Sequence, residues 1–176
     1  MVSLRGKDIV LRALEPCDLD FLYLLENDSE VWAISGTLAP YSKFVLKNYL
    51  ENSHRDIYEI KQLRLSICKP EGEIIGLIDL FDFDPKNKRV GLGIVIVQQE
   101  QNKGIGAKAI SLLCEYAFSV LDAHQVYANV TADNTRSLHL FKKLGFEERG
   151  VKKDWIFSEG SYTDEILLQK INDPCT

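Results

Sequence analysis

Two short segments of this 176-residue chain hold residue types that can do chemistry together. The first is VIVQQEQNKGIGAKAI, residues 95–110, where a β-branched run gives way to a polar bend, to Gly104 and Gly106, and then to an apolar helix. The first N–H groups of a helix have no intrahelical acceptor and sit at the positive end of its dipole. Glycines let that backbone close on a bulky anion, so the segment reads as a pyrophosphate cradle or, with equal weight, as a tight turn. Other nucleotide readings fail. No G-x-x-x-x-G-K-[ST] is present, and position 109 is alanine where a dinucleotide fingerprint asks for a third glycine. The second segment, NTRSLHLFKKLGF at residues 134–146, follows one helix and one strand later.

The elements that must position these segments can be read from periodicity. DIVLRALE alternates as a strand, and Pro16 stands where the helix of CDLDFLYLLEND can begin. GTLAPYS reads as a loop and KFVLKNYLENSHR as a second helix. LRLSICK, IIGLIDLFDFD and RVGLGIVIV, joined by turns at PEGE and DPKNK, predict three successive antiparallel strands over about residues 63–97. Within the third, Gly91 and Gly93 suggest a bulge or a close backbone approach. Ala109, Ile110, Leu113, Ala117, Phe118 and Leu121 mark the most periodic helix. QVYANVT is a strand, TRSLHLFKKLG a helix stopped by Gly145, and the remainder a hairpin turning at Glu159–Gly160. The order predicts a mixed α+β fold in one domain spanning 1–176.

Composition sets the class. Hydrophobic residues at 45% and charged residues at 27% are ordinary for a globular chain. A net charge of −5 argues against nucleic acid as a partner and favours steering of a cationic small molecule. Four scattered cysteines and three histidines lack zinc spacing, so no metal is expected and the thiols are read as buried and reduced. No segment has the apolar length of a signal core or a membrane span, so a cytoplasmic location is expected.

QNKGIGA at residues 101–107 resembles the acyl-CoA-binding signature of the Gcn5-related N-acetyltransferases (GNAT), and N-x-x-S-x-x-x-F-x-K-x-G-F resembles their second signature. LRALEPCDLDFLYLLEND, YAFSVLDAHQVYANV and GSYTDEILL are similar to the branch containing spermidine and ribosomal-protein N-acetyltransferases. The resemblance implies a central mixed, mostly antiparallel sheet of about seven strands with helices on both faces. It implies acetyl transfer from acetyl-CoA to a primary amine: a polyamine, a protein N-terminus or a small-molecule amine. A homo-oligomer, such as a dimer, is also implied. The strand GIVIV would splay from its neighbour and free backbone around Ile94 and Ile96 for the pantetheine arm. Gln101, Asn102, Lys103, Gly104, Ile105, Gly106 and Ala107 would hold the pyrophosphate. Asn134 and Ser137 would meet the pantetheine, Phe141 would face the thioester sulfur, and Lys143 would reach the nucleotide phosphates.

Two family groups are missing. Relatives often carry tyrosine, a proton donor, where this chain has Phe141, and glutamate, a proton acceptor, where it has Gly91. An acyl-CoA-binding module without catalysis is therefore the alternative reading. The replacement candidates are Asp79, Asp82 and Tyr162, with Tyr127 a further donor. Asp82 and Asp84 would share one strand face, with Asp79 on the other unless a bulge intervenes. Glu26 and Glu30, together with Asp79 and Asp82, are candidates to receive a cationic acceptor between walls of Trp32 and Tyr41. His139 reads as an exposed helical residue.

Overall fold

The computed structural model describes residues 4–172. After β1 (Val10–Ala13) and a single 3-10 turn come four helices: α1 (Leu19–Glu26), α2 (Ser29–Ser35), α3 (Lys43–Asn52) and α4 (Ile57–Ile60). Then follow β2 (Leu63–Cys68), β3 (Ile74–Asp84), β4 (Arg89–Ile96), α5 (Ile105–Ser119), β5 (Gln125–Thr131), α6 (Thr135–Lys143), β6 (Glu147–Ser158) and β7 (Ser161–Ile171). The sequence reading expects two helices before β2; α2 and α4 are additional. Both are short and start at an aspartate whose carboxylate accepts an N–H of the first turn, Asp28 from Glu30 and Asp56 from Tyr58.

The seven strands form one sheet in the order β1-β2-β3-β4-β5-β7-β6. Every neighbouring pair is antiparallel except β4 with β5. One face buries Ile78, Leu80, Val90, Leu92 and Val126 under Ala109, Ile110, Leu113 and Ala117 of α5 and Phe141 of α6. The opposite face carries Leu77 and Val95 against Leu22 and Leu25 of α1, Val31 of α2, and Leu46 and Leu50 of α3. Each fully buried Leu or Ile contributes about 1.5–3 kcal/mol, so these two layers hold the sheet between its helices. β1 is tied to the start of α1 by Arg12, which donates two hydrogen bonds of 2.8 Å to the buried carboxylate of Asp18.

Two local irregularities alter which side chains face which way. Asp82 adopts φ +49° at a bulge between Phe81 and Asp84. The extra residue resets the alternation: Phe83 is buried with Ile78 and Leu80, while Asp84 returns to the Asp79–Phe81 face opposite Arg89. The expected sharing of one face by Asp82 and Asp84 is thereby corrected. The second irregularity concerns β4. Rings and carboxylates of β3 lie over its glycines: a Cβ on Gly91 would stand 2.3 Å from the Phe81 ring, and one on Gly93 would stand 3.2 Å from Asp79 Oδ1.

The thiols divide. Cys68 and Cys114 are buried, and burial pushes the Cys114 thiol up to about 12, where it is inert. Cys17 is exposed, contrary to the expectation of uniformly buried thiols, and Cys175 lies outside the described residues. No described helix is long and apolar enough to cross a membrane.

Candidate active site

β4 and β5 run together only over Arg89–Gln125, Val90–Val126 and Gly91–Tyr127. Beyond Gly91 the two strands separate, so the β5-facing backbone of Leu92 to Ile96 has no strand partner among the described residues. This is a parallel pair opened into a V, with Gly91 and Tyr127 at its apex. An extended chain with amide groups can add itself to such an edge.

α5 begins at the open end of the V. Asn102 and Gly104 have φ values of +62° and +76°, a bend that aims successive N–H groups to one side. α2, α3, α4 and α6 are each capped by a side chain, whereas α5 starts at Gly104 with no side-chain cap. Its first N–H groups therefore stay available to an external anion, reinforced by the dipole of a 15-residue helix. The two glycines do different jobs. A Cβ at Gly104 would meet nothing within 4 Å, so this residue supplies the left-handed backbone and the open approach. At Gly106 it would lie 3.1 Å from Leu140 Cδ2 and 3.5 Å from Ile96 Cδ1, so this glycine lets α5 close on α6 and β4.

Two connected clefts flank the open strand. One, of about 390 Å³, is lined by Ile94, Ile96, Gln101, Asn102, Gly104, Gly106, Ala107, Arg136, Ser137, His139, Leu140 and Lys143. It gathers nine of the thirteen residues expected to hold acetyl-CoA. The second, of about 570 Å³, shares Ile94, Ile96, Gln101, Arg136 and Ser137 and continues to Asn134, Val95, Phe21, Leu24, Leu25, Val31, Asp28 and Glu30. Gln101 joins the two sides. Its Nε2 donates to Ile96 O at 2.9 Å, and its Oε1 accepts from Arg136 Nη1.

Lys103, Ile105 and Phe141 line neither cleft. Lys103 is drawn 2.9 Å from Glu100, a carboxylate that Lys69 also holds at 2.9 Å. Ile105 packs at the edge of the core. Phe141 is 3% exposed, with its ring edge-on to Phe146 at 5.0 Å, so it belongs to the core between α6 and the sheet. Much of the second signature is in fact local architecture. Asn134 Oδ1 accepts Ser137 N at 3.1 Å as the α6 cap, and Gly145 takes φ +86° just past the helix end. Arg136, left unassigned by the sequence reading, and His139, exposed on the helix as that reading expects, share with Lys143 one face of α6 at spacing i, i+3, i+7. That spacing is the signal that finds them.

The acceptor and proton-transfer candidates do not gather in one place. Glu30 stands on the rim of the larger cleft with Asp28. Asp82 is exposed on the bulge, where its charge, after burial, helps push the Tyr127 phenol up. Glu26 is buried on α1 with Oε1 2.7 Å from Arg64 Nη2. Trp32 Nε1 donates to the Glu26 carbonyl at 2.6 Å, which fixes its ring, and the Tyr41 backbone is held by Asn27 at 2.9 and 3.0 Å while its ring stays exposed. Tyr162 sits beside the β6–β7 turn, 63% exposed, with its ring tilted by 52° to that of Phe157 at 4.9 Å, outside both clefts. Among the described residues, no group of three or more His, Cys, Asp or Glu side chains has metal-binding geometry.

Asp79 shares the Arg64 guanidinium with Glu26. Arg64 faces it across β2–β3 and Gly93 across β3–β4, and Gln62 Nε2 donates to its Oδ2 at 3.3 Å. Burial raises its carboxyl above the usual range, with Arg64 and the Gln62 hydrogen bond acting against that and the charge of Glu26 adding to it.

A family model described as an acetyltransferase (GNAT) domain matches residues 8–147. A spermidine N(1)-acetyltransferase from Escherichia coli strain K12 is 30% identical over 160 residues, covering 91% of this chain and 84% of the relative. A crystal structure of spermidine N-acetyltransferase from Vibrio cholerae in complex with CoA and spermine matches with a TM-score of 0.84 at 27% identity, over 94% of this chain and 96% of that one. A dodecameric structure of the Vibrio enzyme in an intermediate state matches with a TM-score of 0.79 at 26% identity, over 94% and 95% of the two chains.

Proposed function

This chain belongs to the acetyltransferase (GNAT) domain family, and from that premise we propose that the amine it acetylates is a polyamine. It is an acetyl-CoA-dependent N-acetyltransferase with a mixed, mostly antiparallel seven-stranded sheet. The chain acts as one acetyltransferase domain in the cytoplasm, and it assembles into a homo-oligomer larger than a dimer, following the dodecamer of its Vibrio relative.

The observation that carries the site assignment is the V between β4 and β5 with the uncapped start of α5 at its mouth. The N–H groups of residues 105–107 take the pyrophosphate, with the Gln101, Asn102 and Gly104 bend around it and Arg136 and Lys143 beside it. The pantetheine arm pairs with β4 backbone at Ile94 and Ile96 and passes Asn134 and Ser137. Its thioester then lies near the apex, where proximity of the two reactants supplies most of the acceleration. The larger cleft admits the acceptor, with Asp28 and Glu30 at its rim and a chain charge of −5 drawing in a polycation.

The supporting relatives act on spermidine by name. The test is thiol release from acetyl-CoA across spermidine, spermine, N-terminal peptides and aminoglycosides. Polyamines are expected to give the highest kcat/KM. Faster turnover of a peptide or an aminoglycoside would refute the acceptor assignment.

A further inference from the structure

The outer strands of the sheet hold a primary ammonium in a cage of three different groups. The Lys152 ammonium of β6 lies 2.6 Å from Glu165 Oε1 on β7 and 3.4 Å from Asn129 Oδ1 on β5. It also stands 5.0 Å from the centre of the Trp155 ring. A carboxylate, an amide oxygen and the negative face of an indole are the partners that an alkylammonium binds. Three strands supply them, so the cage is a product of the sheet and not of one local segment.

A bulge completes it. Residues 152 and 155 would face opposite sides of a regular strand. The β6–β7 register shifts between Lys152 and Ile156, where Asp154 takes φ +50° and donates its N–H to Asp164 Oδ1 at 3.0 Å. The bulge returns Trp155 to the side of Lys152. The members of the cage differ in freedom. Glu165 belongs to β7, which is paired with β5 on one side and β6 on the other, and its side chain is only 14% exposed. Lys152 extends from the edge strand with 36% of its side chain exposed. A pair open to water on the lysine side holds weakly, so the lysine can swing out while the other three groups stay in place.

The register sets the cage on the acceptor side of the V. Tyr127 pairs with Gly91 at the apex, and Gly91 alternates with Gly93 and Val95 on the face that carries the α1 and α3 cluster. Asn129 follows Tyr127 by two residues on that same face, about 7 Å along β5. Glu165 and Lys152 continue the next row, opposite Thr131. On the other arm, Val95 of this face lines the larger cleft.

Resting on the polyamine reading above, we infer that this cage receives the distal ammonium of the acceptor, and that Lys152 holds the place until the acceptor displaces it. An acceptor with one amine reaches the apex and leaves the cage to Lys152. An acceptor with a second ammonium a few methylene groups away fills both positions. The site thereby selects for the number and spacing of positive charges.

The test is calorimetric titration of spermidine into the chain loaded with CoA, which carries no acetyl group to transfer. The CoA-induced rise in Tm checks that each variant is folded. Lys152→Met keeps an apolar stem beside the indole and removes the competing ammonium. Spermidine should then bind about three- to fivefold tighter, the equivalent of one exposed ion pair. Glu165→Gln removes the charged partner and should weaken binding by about tenfold or more. Trp155→Leu should weaken it by about threefold. Lys153→Met removes the same unit charge from the same strand, where that lysine pairs with Asp164, and should stay within about twofold of wild type at physiological salt. One spermidine should bind per chain. A Kd unchanged in Lys152→Met, an equal gain in Lys153→Met, wild-type affinity in Glu165→Gln or Trp155→Leu, or two spermidines per chain overturns the assignment while acetyl transfer to a polyamine stands. Failure of the CoA-loaded wild type to bind spermidine overturns the polyamine reading and the cage with it.

Discussion

Gly104→Ala separates the anion seat from the fold that carries it. Gly104 holds φ +76°, and a Cβ there would meet no atom within 4 Å. The cost to the fold is therefore backbone strain alone, roughly 1–2 kcal/mol for a left-handed alanine. The stiffer unfolded chain offsets about 0.4–1 kcal/mol of it. A net loss of about 1 kcal/mol lowers Tm by about 2–4 °C in a chain of this size. Binding should suffer more, because the new methyl group stands where the phosphates approach and the strain tilts the following N–H groups. A tenfold loss of CoA affinity corresponds to about 1.4 kcal/mol. At CoA equal to 100 times the wild-type Kd, the wild type gains about 2.7 kcal/mol and the variant only about 1.4. The CoA-induced rise in Tm should thus be halved, and calorimetric titration should give a Kd about ten times higher. An undiminished thermal shift with normal Kd would refute the claim that the first turn of α5 holds the phosphates.

Phe141→Tyr should add a hydroxyl inside the core, costing about 1–3 kcal/mol of stability by thermal melt without raising kcat; a faster enzyme would place that ring at the thioester after all. Arg136→Gln removes the cation shared by both clefts, so CoA affinity should drop about tenfold at low salt. That difference should shrink at 1 M salt, where the Debye length is about 3 Å. Burial pushes the Asp18 carboxyl up, but the Arg12 hydrogen bonds and the Glu15 N–H outweigh it and leave it below the usual range. Its stabilisation is complete above the ordinary carboxylate pKa and is lost as pH falls through the lowered folded value. Asp18→Asn should therefore cost about 2 kcal/mol at pH 7, less than the loss of a fully buried pair because Arg12 is 31% exposed. Its denaturant midpoint should converge with wild type at acid pH.

The parts of the fold that sequence reveals are those fixed by short-range pattern. The β2–β3–β4 meander, the α5 face and the Glu159–Gly160 turn follow from alternation, 3.6-residue spacing and turn chemistry. α2 and α4 escape because four to seven residues cannot establish a period, though Asp28 and Asp56 mark their starts. The bulge at Asp82 escapes because one inserted residue leaves no mark on composition. The site divides along the same line. Gln101 to Gly106 and Asn134 to Lys143 are contiguous and legible, while the pairing of Glu26 with Arg64 joins residues 38 positions apart that only the packing of α1 on the sheet brings together. Phe141 was legible as a residue but not as a direction: its contact with Phe146 decides that it faces the core.

The Phe81 ring over Gly91 ties these two positions together, so that neither tolerates a change alone. A side chain at position 91 alone would drive its Cβ to 2.3 Å from that ring. Shrinking Phe81 alone would open a hole beside Tyr127, the ring it meets edge-on at 5.9 Å. Each single change damages the packing, so the two positions can be substituted only as a pair.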